Sequence, residues 1–133
     1  MSQSSVHRRP PQPPLVPRVK FWLESDGRSV FCTGVCQILQ AVERTGSIKQ
    51  AAREMGRSYR FIWGRLKQAE ETLGQSLVEA HVGGKGSRRS FLTPLARELV
   101  SGFASLRQRL MEFVDEEFRS RFPSPAGRGG QRQ

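Results

Sequence analysis

The sequence predicts a mainly α domain with a small amount of β structure, and three stretches predict it. Thr45 to Leu73 reads as two amphipathic helices around a turn at Gly56, and Val19 to Thr33 alternates like a hairpin around Asp26-Gly27. From Pro94 onward, apolar residues recur every three or four positions. The helical period covers most of the chain and the strand period only short runs of it. A length of 133 residues gives room for one domain.

Residues 1–18 hold Pro10, Pro11, Pro13, Pro14 and Pro17 with His7, Arg8 and Arg9. Such a composition favours extended polyproline segments and cannot bury a core, which predicts a disordered basic arm. An arm of this kind either adds salt-sensitive affinity for a polyanion or stays a solvated tail. The domain proper is expected over residues 19–121. Its first element is the hairpin, in which Val19, Phe21 and Leu23 share one face and Trp22 lies on the other. A two-stranded ribbon is marginal alone, so it must pack on a helix or a partner subunit.

Gly34 to Thr45 follows as a helix with Val35, Ile38, Leu39 and Val42 on one stripe and Gly46 as its stop. Ser47 is placed to cap the next helix, whose stripe is Ile48, Ala51, Ala52 and Met55. After Gly56, Ser58 is placed to cap a third helix that carries Ile62, Leu66, Ala69 and Leu73 down one side, with Tyr59 at the upper margin. The opposite side collects Arg57, Arg60, Gly64, Lys67 and Gln68, a basic face with a glycine in its middle. A glycine inside a helix costs about 1 kcal/mol relative to alanine, so its place on an exposed face points to close approach of a ligand to the backbone. Two short helices around a glycine turn, the second basic outward, form the helix-turn-helix that enters a DNA major groove. Helix pairs are common in α proteins and basic faces are usually just solvated, so the flanking segments decide.

They favour DNA. Ser76 to His81 and Ser90 to Thr93 read as short strands enclosing a glycine-rich basic loop from Val82 to Arg89. Gly83, Gly84 and Gly86 let the loop turn tightly and bring amides near phosphates, while Lys85, Arg88 and Arg89 neutralise charge. A nucleotide phosphate loop is excluded, because neither the Gly-Lys-Ser/Thr order nor a following helix N-terminus stands in register. The fold so assembled is a winged helix-turn-helix with an N-terminal β-hairpin.

Thr93 caps a long helix with Pro94 at its first position, expected over residues 94–119. Ala96, Leu99, Phe103, Leu106, Leu110 and Phe113 form a seam that Leu95 and Val114 widen. A seam this long exceeds what one three-helix core covers, which makes it a dimerisation helix; the alternative is that it folds back over its own domain. Residues 122–133, with Pro123, Pro125, Gly127, Gly129 and Gly130, read as a second disordered tail.

Charge agrees. Lys and Arg outnumber Asp and Glu by 22 to 12, a formal net charge of +10, and the excess gathers in the tails, the third helix and the glycine-rich loop. Cys32 and Cys36 are too few for a disulfide framework and lack partners for a zinc site, because His7 and His81 are remote, so no metal and no cofactor is expected. No run of eighteen apolar residues and no signal-peptide core occurs, which predicts a cytoplasmic protein with no membrane partner. No nucleophile stands with a positioned base, so an enzyme is not expected.

Read together, Val-Phe-Cys-Thr-Gly (30–34), Thr-Gly-Ser-Ile-Lys-Gln-Ala-Ala-Arg-Glu-Met-Gly (45–56), Ser-Tyr-Arg-Phe-Ile-Trp (58–63), Leu-Gly-Gln-Ser-Leu-Val-Glu (73–79), Gly-Gly-Lys-Gly (83–86) and Leu-Thr-Pro (92–94) resemble the N-terminal DNA-binding domain of ModE-type molybdate-responsive regulators, a winged helix of the LysR kind. The likeness runs unbroken from about Val19 to Phe118. It implies DNA contacts from Ser47, Lys49 and Gln50, from Ser58, Tyr59, Arg60 and Trp63, and from Gly83, Gly84 and Lys85. Helix geometry agrees on Arg60, adds Arg57, Gly64 and Lys67, and sets Trp63 at the edge between core and groove. The resemblance also implies a homodimer on a palindromic operator, held by the ribbon through Phe21 and Leu23 and by the long helix through Leu99, Phe103, Leu106, Leu110 and Phe113.

Two departures stand out. Ser87-Arg88-Arg89 replaces further glycines, which favours phosphate binding and shape readout, and Ala96 stands where a glycine is usual after Leu-Thr-Pro. The resemblance implies oxyanion-binding repeats after this domain in family members; no such repeat is read within these 133 residues, and no molybdate site is assigned among them. The function expected is a homodimeric, sequence-specific regulator of transcription with double-stranded DNA as its partner. Two alternatives are a nucleoid-type architectural protein of low specificity and a protein-interaction adaptor.

Overall fold

The computed structural model describes residues 14–82 and 88–122. Its elements are β1 (Trp22–Ser25), β2 (Arg28–Cys32), α1 (Thr33–Thr45), α2 (Ile48–Met55), α3 (Tyr59–Leu73), β3 (Val78–Val82), β4 (Arg88–Leu92) and α4 (Pro94–Arg121). Helix α1 lies at the centre, with α2, α3, α4 and both hairpins packed around it. Leu39 and Val42, which are fully buried, face Ile62 and Leu66 of α3, Leu77, Leu92 and Ala96 in one core. Each such aliphatic side chain withdraws enough surface from water to contribute about 1.5–3 kcal/mol, and that burial holds the short α2 in place.

Caps set the helix limits as the sequence predicts. The Ser47 hydroxyl accepts the Gln50 amide at 3.1 Å, the Ser58 hydroxyl the Phe61 amide at 3.0 Å, and the Thr93 hydroxyl the Ala96 amide at 3.1 Å. Gly46 closes α1 in the left-handed region, φ 76°, and donates to the Val42 carbonyl. The first helix differs: its N-cap is Cys32, which supplies no side-chain acceptor to the first turn.

The β1–β2 hairpin turns on Asp26 (φ 54°) and Gly27 (φ 74°), two left-handed residues whose twist matches the strands. Its first strand begins at Trp22, not Val19. The register passes from Leu23↔Phe31 to Glu24↔Ser29, so Val30 is the extra residue of a bulge. Both Val30 and Phe31 are therefore buried, which strict alternation forbids.

Further boundaries move. The arm expected to reach Arg18 is described from Pro14, and Pro17 lines a groove along the C-terminal half of α4 with Phe113, Val114 and Phe118. Helix α4 runs to Arg121, and Phe122, assigned to the tail, donates its amide to the Phe118 carbonyl and stacks on the Phe118 ring at 4.9 Å. The rest of both expected tails, residues 1–13 and 123–133, lies outside the described residues. So do Gly83, Gly84 and Lys85 of the loop, whereas Val82, Arg88 and Arg89 belong to strands paired Val82↔Arg88 and His81↔Arg89.

Helix α4 divides in two. Ala96 is fully buried, and Phe103, placed by its spacing at a subunit interface, is 3% exposed within its own chain. The Phe103 ring stacks on Phe21 at 4.5 Å and meets Phe31 edge-on at 5.3 Å. The apolar face of the ribbon, Phe21 and Leu23, thus packs on the chain's own core together with Leu99. Past Phe103 the own core ends: Leu106 is 45% and Phe113 61% exposed, with Leu110 half-buried.

Candidate nucleic-acid interface

The cationic side of α3 points outward. Arg57, Arg60, Gly64, Lys67 and Gln68 are all exposed, while Ile62, Leu66 and Ala69 on the other side are buried. A Cβ built on Gly64 would stand in open space, so nothing among the described residues requires a glycine there. The Arg57 guanidinium lies 3.8 Å over the Phe61 ring, a stacking that fixes its fork at the head of the helix.

Beside this ridge runs a groove of about 820 Å³ between the start of α2, the flank of α3 and the near face of the β3–β4 hairpin. It brings together Ser47, Lys49, Tyr59, Trp63, Lys67 and Arg88, six of the residues singled out from sequence. Trp63 is 43% exposed, at the margin between core and groove. Gln50 is exposed on α2, outside the groove, and Ser58 sits at the head of α3. Arg89 lies on the opposite face of its strand from Arg88. Its guanidinium comes within 2.7 Å of where a Gly46 Cβ would stand, so it packs over the α1–α2 corner.

The electrostatics favour a polyanion. Lys49, Arg57, Arg60 and Arg88 take part in no ion pair among the described residues. Lys67 does: its ammonium sits 3.1 Å from Glu70 and 5.5 Å from the Trp63 ring centre.

Sequence reasoning missed Glu70. Its carboxylate accepts the Leu77 amide at 2.8 Å and the Val78 amide at 3.2 Å, which ties the root of β3 to α3 and sets the width of the groove. The Ser90 amide donates to the Gly46 carbonyl at 2.9 Å and anchors the other strand to α1. Nothing in the local pattern separates Glu70 from the neighbouring Glu71. Arg65 was also missed; it reaches back from α3 to donate to the Cys32 sulfur at 3.4 Å. Both cysteines are free, and burial pushes the Cys36 thiol above its usual range. Among the described residues there is no group of three or more His, Cys, Asp or Glu that could hold a metal, and no helix is long and apolar enough to cross a membrane.

A tri-helical core, a capped helix pair meeting at a glycine and a hairpin beside the second helix of that pair define a winged helix-turn-helix domain. The particular kind is LysR-type: residues 35–97 match the bacterial regulatory helix-turn-helix protein, lysR family, and the chain carries a helix-turn-helix domain of that kind. The chain is 37% identical over 92 residues to the molybdenum transport protein ModE of Herbaspirillum seropedicae, covering 68% of this chain and 34% of that protein. It is 32% identical over 89 residues to the molybdenum-pterin-binding protein MopB of Rhodobacter capsulatus, covering 67% and 33%. The chain therefore spans about a third of the length of these relatives. The fold is also that of the BenM DNA-binding domain solved with benA site 1 DNA, with a TM-score of 0.53 at 21% identity, covering 68% of this chain and 97% of that one.

Proposed function

We propose that this chain is the DNA-reading part of a homodimeric transcription regulator that binds a two-fold symmetric operator sequence-specifically. The observation that carries the reading is the exposed cationic ridge of α3, where Arg57 and Arg60 take part in no ion pair among the described residues, Lys67 pairs with Glu70, and Gly64 between Arg60 and Lys67 has an open outer side. With α3 in the major groove, Gly64 admits the DNA backbone or a base edge closely, and Arg60 is free to make a bidentate contact to guanine. Ser47 and Ser58 use their oxygens to accept backbone amides, which leaves each O–H free to donate to a phosphate. Lys49 and Arg88, on either side of the groove, neutralise the flanking backbone, and the loop glycines Gly83 and Gly84 with Lys85 extend that contact. Arg89, turned towards Gly46, has the smaller share.

The distal half of α4 supports the pairing. Leu106 and Phe113 lie beyond their own core and are costly to leave in water, and a second copy covers them. A dimer so formed presents two α3 helices to successive major grooves on one side of the duplex, as palindromic half-sites require.

Fluorescence anisotropy on DNA from the gene's own upstream region and on random duplex tests this. Arg60→Ala is expected to cost about 1–3 kcal/mol on the specific site and to relax sequence preference, whereas Arg88→Ala weakens both duplexes alike. Equal loss on both DNAs for both variants would remove Arg60 from base reading, and a specific to random ratio near one in the parent protein would select an architectural coat instead.

A further inference from the structure

Behind the DNA-facing side of α3 the molecule has a second concavity, of about 770 Å³, where the ribbon, the start of α1, α3 and α4 meet. Three cations from three different segments reach it: Lys20 ahead of β1, Arg65 of α3 and Arg107 of α4. None of the three takes part in an ion pair among the described residues, and no carboxylate lines the cleft. Cations of like sign repel, and each remains unneutralised although Asp and Glu are plentiful on the distal part of α4. Thr33 and Gly34, the first turn of α1, form part of the wall, and that turn receives no side-chain cap. The other wall is apolar: Phe21 and Trp22 line it, and Trp22, 47% exposed, is held in orientation by the 2.7 Å bond from its indole nitrogen to Glu24. An apolar cleft of several hundred cubic ångströms with a few convergent polar groups is the usual form of a small-molecule site.

We propose that this cleft binds a small organic anion, a phosphate or carboxylate on a flat apolar body. Arg107 and Lys20 make charge-assisted hydrogen bonds to the anionic group, and the ring packs against Trp22. Arg65 belongs to the same helix as Arg60 and is held against the Cys32 sulfur, so a ligand that engages its guanidinium acts on α3 from the side away from DNA. The cleft is separate from the exposed apolar side of α4, since Arg107 follows Leu106 and lies about 100° round the helix from it.

The test uses the full chain carrying Trp63→Phe, so that Trp22 is the one tryptophan left of two. Its fluorescence is followed at constant ionic strength against phenyl phosphate, inorganic phosphate and phenol. A saturable change with phenyl phosphate that exceeds those with the anion or the ring alone is expected, with apparent affinity lowered about tenfold by Arg107→Gln and again by Lys20→Gln. Both positions are exposed, and circular dichroism checks that the variants keep their helix content. No saturable response, an equal response to inorganic phosphate, or a response untouched by the two substitutions would overturn the site. A change in solution mass on Arg107→Gln in place of a change in phenyl phosphate affinity would also overturn it, because the cleft would then belong to a subunit contact. No DNA is present in the assay, so either outcome leaves the reading of α3 as a DNA-binding helix standing.

Discussion

Glycines separate two kinds of requirement at the scale of single residues. Gly46 has a left-handed backbone, φ +76°, which side-chain-bearing residues rarely adopt, so the chain itself demands a glycine there, and the Arg89 guanidinium lies over it. Gly64 has open space there and sits in helix interior, where alanine is the better former. Gly64→Ala is therefore expected to stabilise the free protein by about 0.5–1 kcal/mol in urea unfolding while lowering affinity for operator DNA. Greater stability with unchanged affinity would mean that another surface faces the duplex. The sequence marked both glycines, one as a helix stop and one as an anomaly on a basic face, because each leaves a local trace. It left no trace of the partner of Gly46: Arg89 reads as a wing cation like Arg88, and only the pleat, which turns alternate residues to opposite faces, separates the two.

At the scale of elements, the apolar stripe of α4 has a buried half and an exposed half. Heptad-like spacing identified the apolar residues but treated them as one seam. In the fold, Phe103 is consumed by Phe21 and Phe31, whereas Leu106 and Phe113 are exposed among the described residues. Charge placed on the free half should act on pairing alone. Leu106→Glu with Phe113→Glu is expected to shift the solution mass to that of one chain and to weaken operator binding, while the unfolding free energy of the dilute single chain changes by less than about 1 kcal/mol. A single-chain mass for the unsubstituted protein at micromolar concentration would end the dimer reading. The hairpins show the same limit of local pattern. Asp26-Gly27 announced its turn, but the bulge at Val30 that buries two successive residues came from the demand of the core for Phe31.

Across the whole molecule, stability and recognition rest on one core built around α1. Phe103 closes that core from α4 and holds the ribbon to it through ring contacts at 4.5 and 5.3 Å. Phe103→Ala is expected to destabilise the fold by about 3–5 kcal/mol in denaturant titration, far more than Phe113→Ala ten residues on. Comparable small losses for the two would place Phe103 outside the core. The groove beside α3 depends on the same framework. Its width is set by Glu70 holding the amides of Leu77 and Val78 and by the Gly46 carbonyl holding Ser90, contacts between segments far apart in sequence.

The sequence by itself determined the order of elements, the serine and threonine caps, the glycine stops, the Asp-Gly turn and the cationic side of α3. Those follow from interactions within about four residues, which fix helical and strand periods wherever the segment ends up. Only the tertiary structure decided which apolar residues of α4 stay free, which arginine of β4 faces the groove, that Glu70 braces the wing, and that Lys20, Arg65 and Arg107 converge on one cleft. Each of those depends on segments distant in sequence meeting in one packed arrangement, and close packing, unlike periodicity, leaves no repeat to be read along the chain.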